Sequence, residues 1–223
     1  MKKLIFIGLC FSSLLMNSQN ITEMFPNFDK RGMNTSILYN NSSIHDIRNY
    51  STQTHNIYNF YQAYKAISFS DFEQRLPDLS ILKDKATKEL LSLEVPLALL
   101  FTEYDTFNEV ASNNNLIIST EGNTFQRVGQ QTEIFDKHQL LIGAALKSIQ
   151  RGTDVVFKLE EETFFNTTEL DIVNIEINFD DNQGFRTITI NSSSPVSYQS
   201  EGEKLIQFRI TLENQEVVES SAS

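Results

Sequence analysis

Cysteine is nearly missing from this chain: Cys10 is the only one in 223 residues. No disulfide framework is available, so stability has to come from buried apolar surface. Tryptophan is absent, which weakens any reading as an aromatic platform for sugars. Basic residues are in deficit, 18 against 29 acidic ones, for a net charge of −11. A surface of that sign repels nucleic-acid phosphates and acidic membranes, so neither is an expected partner. Beyond the N-terminus no stretch approaches the roughly 18 consecutive apolar residues of a transmembrane helix, and no membrane insertion is expected after the leader is removed. Catalytic signatures are missing too. There is no Gly-x-Ser-x-Gly elbow to hold a nucleophile, and the three histidines, His45, His55 and His138, have no partner at metal-ligand spacing.

What is present begins at Met1. Lys2 and Lys3 precede an apolar run over residues 4–16, followed by Asn17-Ser18-Gln19-Asn20. That is the order of a secretory signal peptide, and the run is too short to span a bilayer. We assign residues 1–18 as the signal, with cleavage after Ser18 and with Gln19 at the −1 position as the alternative. Cys10 sits in the middle of the apolar run behind the bulky Leu9, which argues against lipidation. The protein is therefore expected to be secreted, at the cell surface or in the periplasm.

Residues 19–56 are polar and rich in Asn, Ser and Thr, with few apolar anchors (Met24, Phe25, Phe28, Ile37, Leu38, Tyr39). They read as an extended, partly disordered arm with a short strand at 37–39. Asn34, Asn41 and Asn49 open glycosylation triplets that matter only in a host that glycosylates asparagine. Residues 57–150 read as a mixed helix and strand region. Ile57, Phe60, Tyr61, Tyr64 and Ile67 predict a helix over 57–67 whose stripe faces a core. Asp78 and Ser80 offer caps for a second, lined by Leu82, Ala86, Leu90 and Leu93 and closed by Pro96. Strand-like pieces follow at 97–102, 116–119, 124–128 and 140–146, with turns at 113–115 and 121–123. The piece at 140–146 fits helix or strand equally.

After Gly152 the period is two. Val155, Phe157 and Leu159; Val173, Ile175, Ile177 and Phe179; Ile188 and Ile190; and Ile206, Phe208, Ile210 and Leu212 all alternate with polar neighbours. Short strands separated only by turns predict an antiparallel β-sandwich over 153–223, with those residues in its core. The fold class expected is mainly β with an α-helical N-terminal portion and an immunoglobulin-like sandwich at the C-terminus.

The turn Phe179-Asp180-Asp181-Asn182-Gln183-Gly184, followed by Tyr198 and Gly202 before an alternating strand, resembles a PKD domain. It departs from that family at Asp181 and Asn182, where Gly and Asp are usual, and at Asn178, where Trp is usual. More widely, Leu38-Tyr39-Asn40, the Val-Pro-Leu-Ala-Leu-Leu run from Val95, the Ala-Ala-Leu ending at Leu146 and this β module are similar to the N-terminal region of large bacterial proteins exported by type IX secretion. In some of those the module precedes a lipase-like α/β-hydrolase. The resemblance implies an accessory or adhesion-type role, with a protein, a glycan or a sister domain as partner. Its alternatives are a detached N-terminal portion of a secreted esterase and a structural spacer.

Catalytic residues are accordingly expected to be none, and no motif asks for a cofactor. The densest acidic run, Glu160-Glu161-Glu162, is expected at a strand end as a solvated edge that discourages pairing. Asp180, Asp181 and Asn182 form a weak calcium candidate. An EF-hand would need Glu at the twelfth position, where Asn191 stands, and short Asp/Asn turns are commonly hairpin chemistry.

Overall fold

A computed structural model describes residues 21–33, 54–88, 94–120, 124–129 and 133–223; the expectations for 1–18, 37–39, Leu90, Leu93 and 121–123 lie outside them. Its centre is β2 (Glu94–Phe107). The run from Val95 to Phe101 is wholly apolar because both faces of this strand are covered. Val95, Leu97, Leu99 and Phe101 enter one core; Ala98, Leu100 and Tyr104 enter another. β5 (Phe135–Ala145) pairs antiparallel with β2, residue by residue from Leu97↔Ala145 to Phe107↔Phe135, which settles the piece at 140–146 as mainly strand. β6 (Asp154–Asn166) pairs parallel on the other side, and β9 (Ser193–Ser197) completes the order β5-β2-β6-β9. The segments 57–150 and 153–223 thus contribute two strands each to one sheet.

A second sheet runs in the order β1 (Thr54–His55), β11 (Val217–Ala222), β10 (Ile206–Leu212), β7 (Ile172–Asn178), β8 (Arg186–Thr187). It lies face to face with the first over the core that Phe157, Leu159, Ile177, Phe179, Phe208 and Ile210 share with β2. Each large side chain buried there is worth about 1.5–3 kcal/mol.

Two expectations of alternation fail locally. Val173 is 57% exposed. Thr211 pairs with Asn174 but Leu212 with Ile172, so Val173 is the extra residue of a bulge and Ile172 turns to the core in its place. Ile188 and Ile190 are half-buried against the core outside any strand. After β8 the chain crosses over, with Ile188 N–H donating to Ile175 O and Asn191 N–H to Leu159 O on the opposite sheet.

The outer face of β2 and β5 is roofed by α2 (Ile57–Ser70) and α3 (Ser80–Lys88). Asn56 caps α2: its Oδ1 accepts from Tyr58 and Asn59 N–H at 3.0 and 3.1 Å, while Asn59 Oδ1 accepts from Asn56 N–H. Phe60, Ala63, Tyr64 and Ile67 then face the sheet at helical spacing.

Over 21–33, a described part of the expected arm, the chain packs into a third core instead of extending. Ile21 in α1 (Ile21–Met24), with Phe25 and Phe28, is buried against Ala111 of α4 (Glu109–Asn113) and Phe125 of β4 (Thr124–Arg127). β4 forms a hairpin with β3 (Ile117–Thr120). The long strands β2 and β5 reach this core through Phe107 and Phe135, whose rings stack at 5.8 Å. The fold class is mainly β, with helices in the N-terminal portion.

Candidate functional site

His45 lies outside the described residues. His55, at 3% exposure, is part of the β framework: its Nε2 is 2.6 Å from Gly143 O, a carbonyl that can only accept, so Nε2 carries the proton. His138 lies 2.9 Å from Thr106 Oγ1 and stacks on Tyr104 at 5.0 Å. His138 lies in β5 and His55 in β1, against Gly143 of β5. Gly143 and His138 are roughly 17 Å apart along the strand at about 3.4 Å per residue, so the two histidines do not form one site.

Glu160, Glu161 and Glu162 lie within β6 rather than at its end. Leu159 pairs with Leu97 and Phe164 with Leu99, so the intervening residues loop out of the ladder. Thr163 closes that loop by donating its hydroxyl to Glu160 O at 3.0 Å. The excursion also reverses the strand's faces, carrying Leu159 into the inter-sheet core and Phe165 into the core under the helices. Glu160 binds Lys85 and Lys158. Burial works against its ionisation, but the two ammonium groups outweigh burial and hold its carboxyl below the ordinary value. This ion cluster anchors α3 to the bulge.

The turn at 180–182 is closed on itself. Asp180 and Asn182 adopt φ of 61° and 67°, a region in which Asp and Asn are over-represented. Asp180 Oδ2 accepts from Leu205 N–H at 3.2 Å. The fully buried Asp181 carboxylate accepts from Gln183 N–H and lies 2.9 Å from Arg186 Nη2. Arg186 in turn covers the Phe179 ring at 5.0 Å. A guanidinium therefore stands where a calcium ion would need the Asp181 carboxylate. Among the described residues no group of three or more His, Cys, Asp or Glu side chains is arranged to hold a metal. Tyr198 packs against the inter-sheet core and donates its hydroxyl to Phe179 O at 2.8 Å. Burial first, and then the negative charges of Asp181 and Asp180, push its pKa up to about 12.

A separate concavity lies at one end of the two sheets. It is a cleft of about 590 Å³ between the 147–152 loop, the 198–204 loop and the start of α2, within the usual range for small-molecule sites. Val95, Ala145, Val155, Phe157, Tyr198 and Ile206 form an apolar floor that continues into the inter-sheet core. Around it stand Lys147, Arg151 and Lys204, with Glu201 and Glu203. Lys147 Nζ is committed to Gln150 Oε1 and Glu94 O, whereas Lys204 Nζ sits 4.7 Å over the Tyr198 ring. Among the described residues neither Arg151 nor Lys204 pairs with a carboxylate. Tyr58 on the rim is 71% exposed. Ile149, between the lining residues Ser148 and Gln150, is 80% exposed.

The chain matches no protein-family model, no curated protein and no solved structure. The chemistry of the cleft has to be read from the cleft itself. Sequence reasoning missed it, because its parts come from loops recognisable only as turns. The available signal was the unbroken polarity of 147–152 save for Ile149, an apolar residue with no periodic partner.

Proposed function

We propose that this chain is an exported, non-catalytic binding protein that meets its partner through the open end of its β layers. The observation that carries this reading is the cleft: a concavity with an apolar floor continuous with the inter-sheet core and charged side chains around it. Among the described residues no helix is long and apolar enough to cross a membrane. An immunoglobulin- or PKD-like reading of the β layers is supported by the face-to-face sheets and by Tyr198, whose buried ring and backbone-bonded hydroxyl resemble the tyrosine corner of such domains. On that reading β2 and β5 are part of the sandwich, which then begins before residue 153. The resemblance gives a protein, a glycan or a sister domain as partner classes, and the volume of the cleft, about 590 Å³, adds a small molecule to them.

The test combines export and capture. Sequencing of the exported protein should begin at Gln19, and retention of Lys2 and Lys3 would remove the signal peptide from the reading. Purified protein should capture a ligand from peptide, glycan and small-molecule arrays, and Ser148→Trp, which fills the rim, should lose that ligand without a change in thermal midpoint. A ligand held equally well by Ser148→Trp would show that the cleft is not the site. Turnover of ester or glycoside reporters above background would overturn the non-catalytic assignment.

A further inference from the structure

We infer that the cleft takes a small amphiphile with an apolar body and a single anionic head group; this rests on the cleft being the binding site. The floor sets the body. Val155, Phe157 and Ile206 are buried core residues of facing sheets, so a ligand entering between them adds to the inter-sheet core rather than lying on a surface. They offer no side-chain hydrogen-bonding group, and the hydroxyl of Tyr198 is already spent on Phe179 O. A sugar or a peptide backbone there would lose its water without compensation, at a cost that grows with each polar group. Acyl or aromatic carbon loses nothing by the transfer.

The mouth sets the head. The chain as a whole carries a charge of −11, yet the side chains lining the cleft include three cations, Lys147, Arg151 and Lys204, and two carboxylates, Glu201 and Glu203. The side-chain charges lining the cleft thus favour the cations by one, where the chain as a whole is strongly acidic. The two cations without carboxylate partners among the described residues lie in separate loops. Arg151 comes from the 147–152 loop and Lys204 from the 198–204 loop, so an anion between them would be gripped from two sides and would tie the loops together. Arg151 presents a planar fork that suits a carboxylate, sulfate or phosphate oxygen pair. Lys204, parked on the Tyr198 ring, is an ammonium held directly above the floor. Tyr58, which lines the cleft and is exposed, adds an aromatic face beside the floor.

The test uses the purified protein and 1-anilinonaphthalene-8-sulfonate, an aromatic amphiphile with one sulfonate, whose fluorescence rises on leaving water. It should bind saturably. Dodecanoate, kept below its micellar concentration, should displace it at least tenfold more effectively than dodecyltrimethylammonium. Added salt should weaken the displacement. The double variant Arg151→Glu with Lys204→Glu should weaken dodecanoate about tenfold or more and abolish the preference for the anion, while Arg151→Lys with Lys204→Arg should keep it. Equal displacement by the two dodecyl compounds would overturn the anionic head. Undiminished dodecanoate binding in the charge-reversed variant would overturn the assignment to these residues. If neither amphiphile binds but an array peptide or glycan is lost in Ser148→Trp, this inference fails and the cleft survives as a site. If Ser148→Trp changes no binding at all, both readings fail.

Discussion

Single residues in this protein are often fixed by what stands across from them. Gly143 faces the ring of Phe208, and a Cβ there would lie 2.6 Å from it. Glycine is required by that close approach of the two sheets, and not by a turn. Gly143→Ala should therefore cost about 1–3 kcal/mol in urea unfolding, the usual range for overpacking. A cost near zero would mean that the sheets can separate there freely. Tyr198 stood out in the sequence only through its place before an alternating strand; in the structure its ring lies against the core and its hydroxyl donates to Phe179 O. Tyr198→Phe should cost about 1 kcal/mol. Because the folded pKa of about 12 is above the unfolded one, that contribution should be constant up to about pH 10 and fade as pH rises through 12. A penalty unchanged at the alkaline end would mean the phenol is not held neutral by the fold. Val173 was read wrongly for a reason at the same scale. One inserted residue reverses every face beyond it, and period two carries no mark of where an insertion falls.

Elements are joined to the β layers by polar brackets as well as by apolar faces. The clearest begins at Asp71, at the end of α2. Its buried carboxylate accepts from the N–H groups of Glu73 and Arg75 and from the Arg75 guanidinium. Arg75 then donates to Thr167 O at 2.7 Å, and Thr167 N–H donates to Phe101 O of β2. Burial alone would raise the Asp71 pKa, but these hydrogen bonds bring it below the ordinary value. A carboxyl with a depressed folded pKa stabilises above its unfolded pKa, near 4, and loses that contribution as pH falls through the folded value. Asp71→Asn should thus cost about 1.5–3 kcal/mol at neutral pH. The gap from wild type should stay flat down to about pH 5 and close below pH 4. A gap that persists unchanged at pH 2 would show that charge is not what the bracket uses. α2 was readable from its stripe and its strands from their alternation. The bracket was not, because Asp71, Arg75, Thr102 and Thr167 are common surface residues whose meeting depends on tertiary placement. α4 was missed for lack of length, at five residues.

At the scale of the whole molecule, sequence patterning revealed that there would be two sheet faces, but it could not say which strands share a sheet. β2 lies beside β6 in parallel register although β5 comes between them in the chain, and no local periodicity encodes that choice. The cleft was hidden for the same reason, being assembled from loops far apart in sequence. The pairing of β1 with β11 has a consequence in time rather than in space. Thr54 and His55 pair with Ser221 and Ala222, and Ser223 N–H donates to His55 O, so this edge depends on residues far along the chain from β1. The second sheet stays open along that edge until they pair, and His55 has no framework to donate into until Gly143 is placed. Long-range pairings of this kind slow folding towards the millisecond-to-second range. A pairing of such high sequence separation should close late, after the local hairpins and helices have formed.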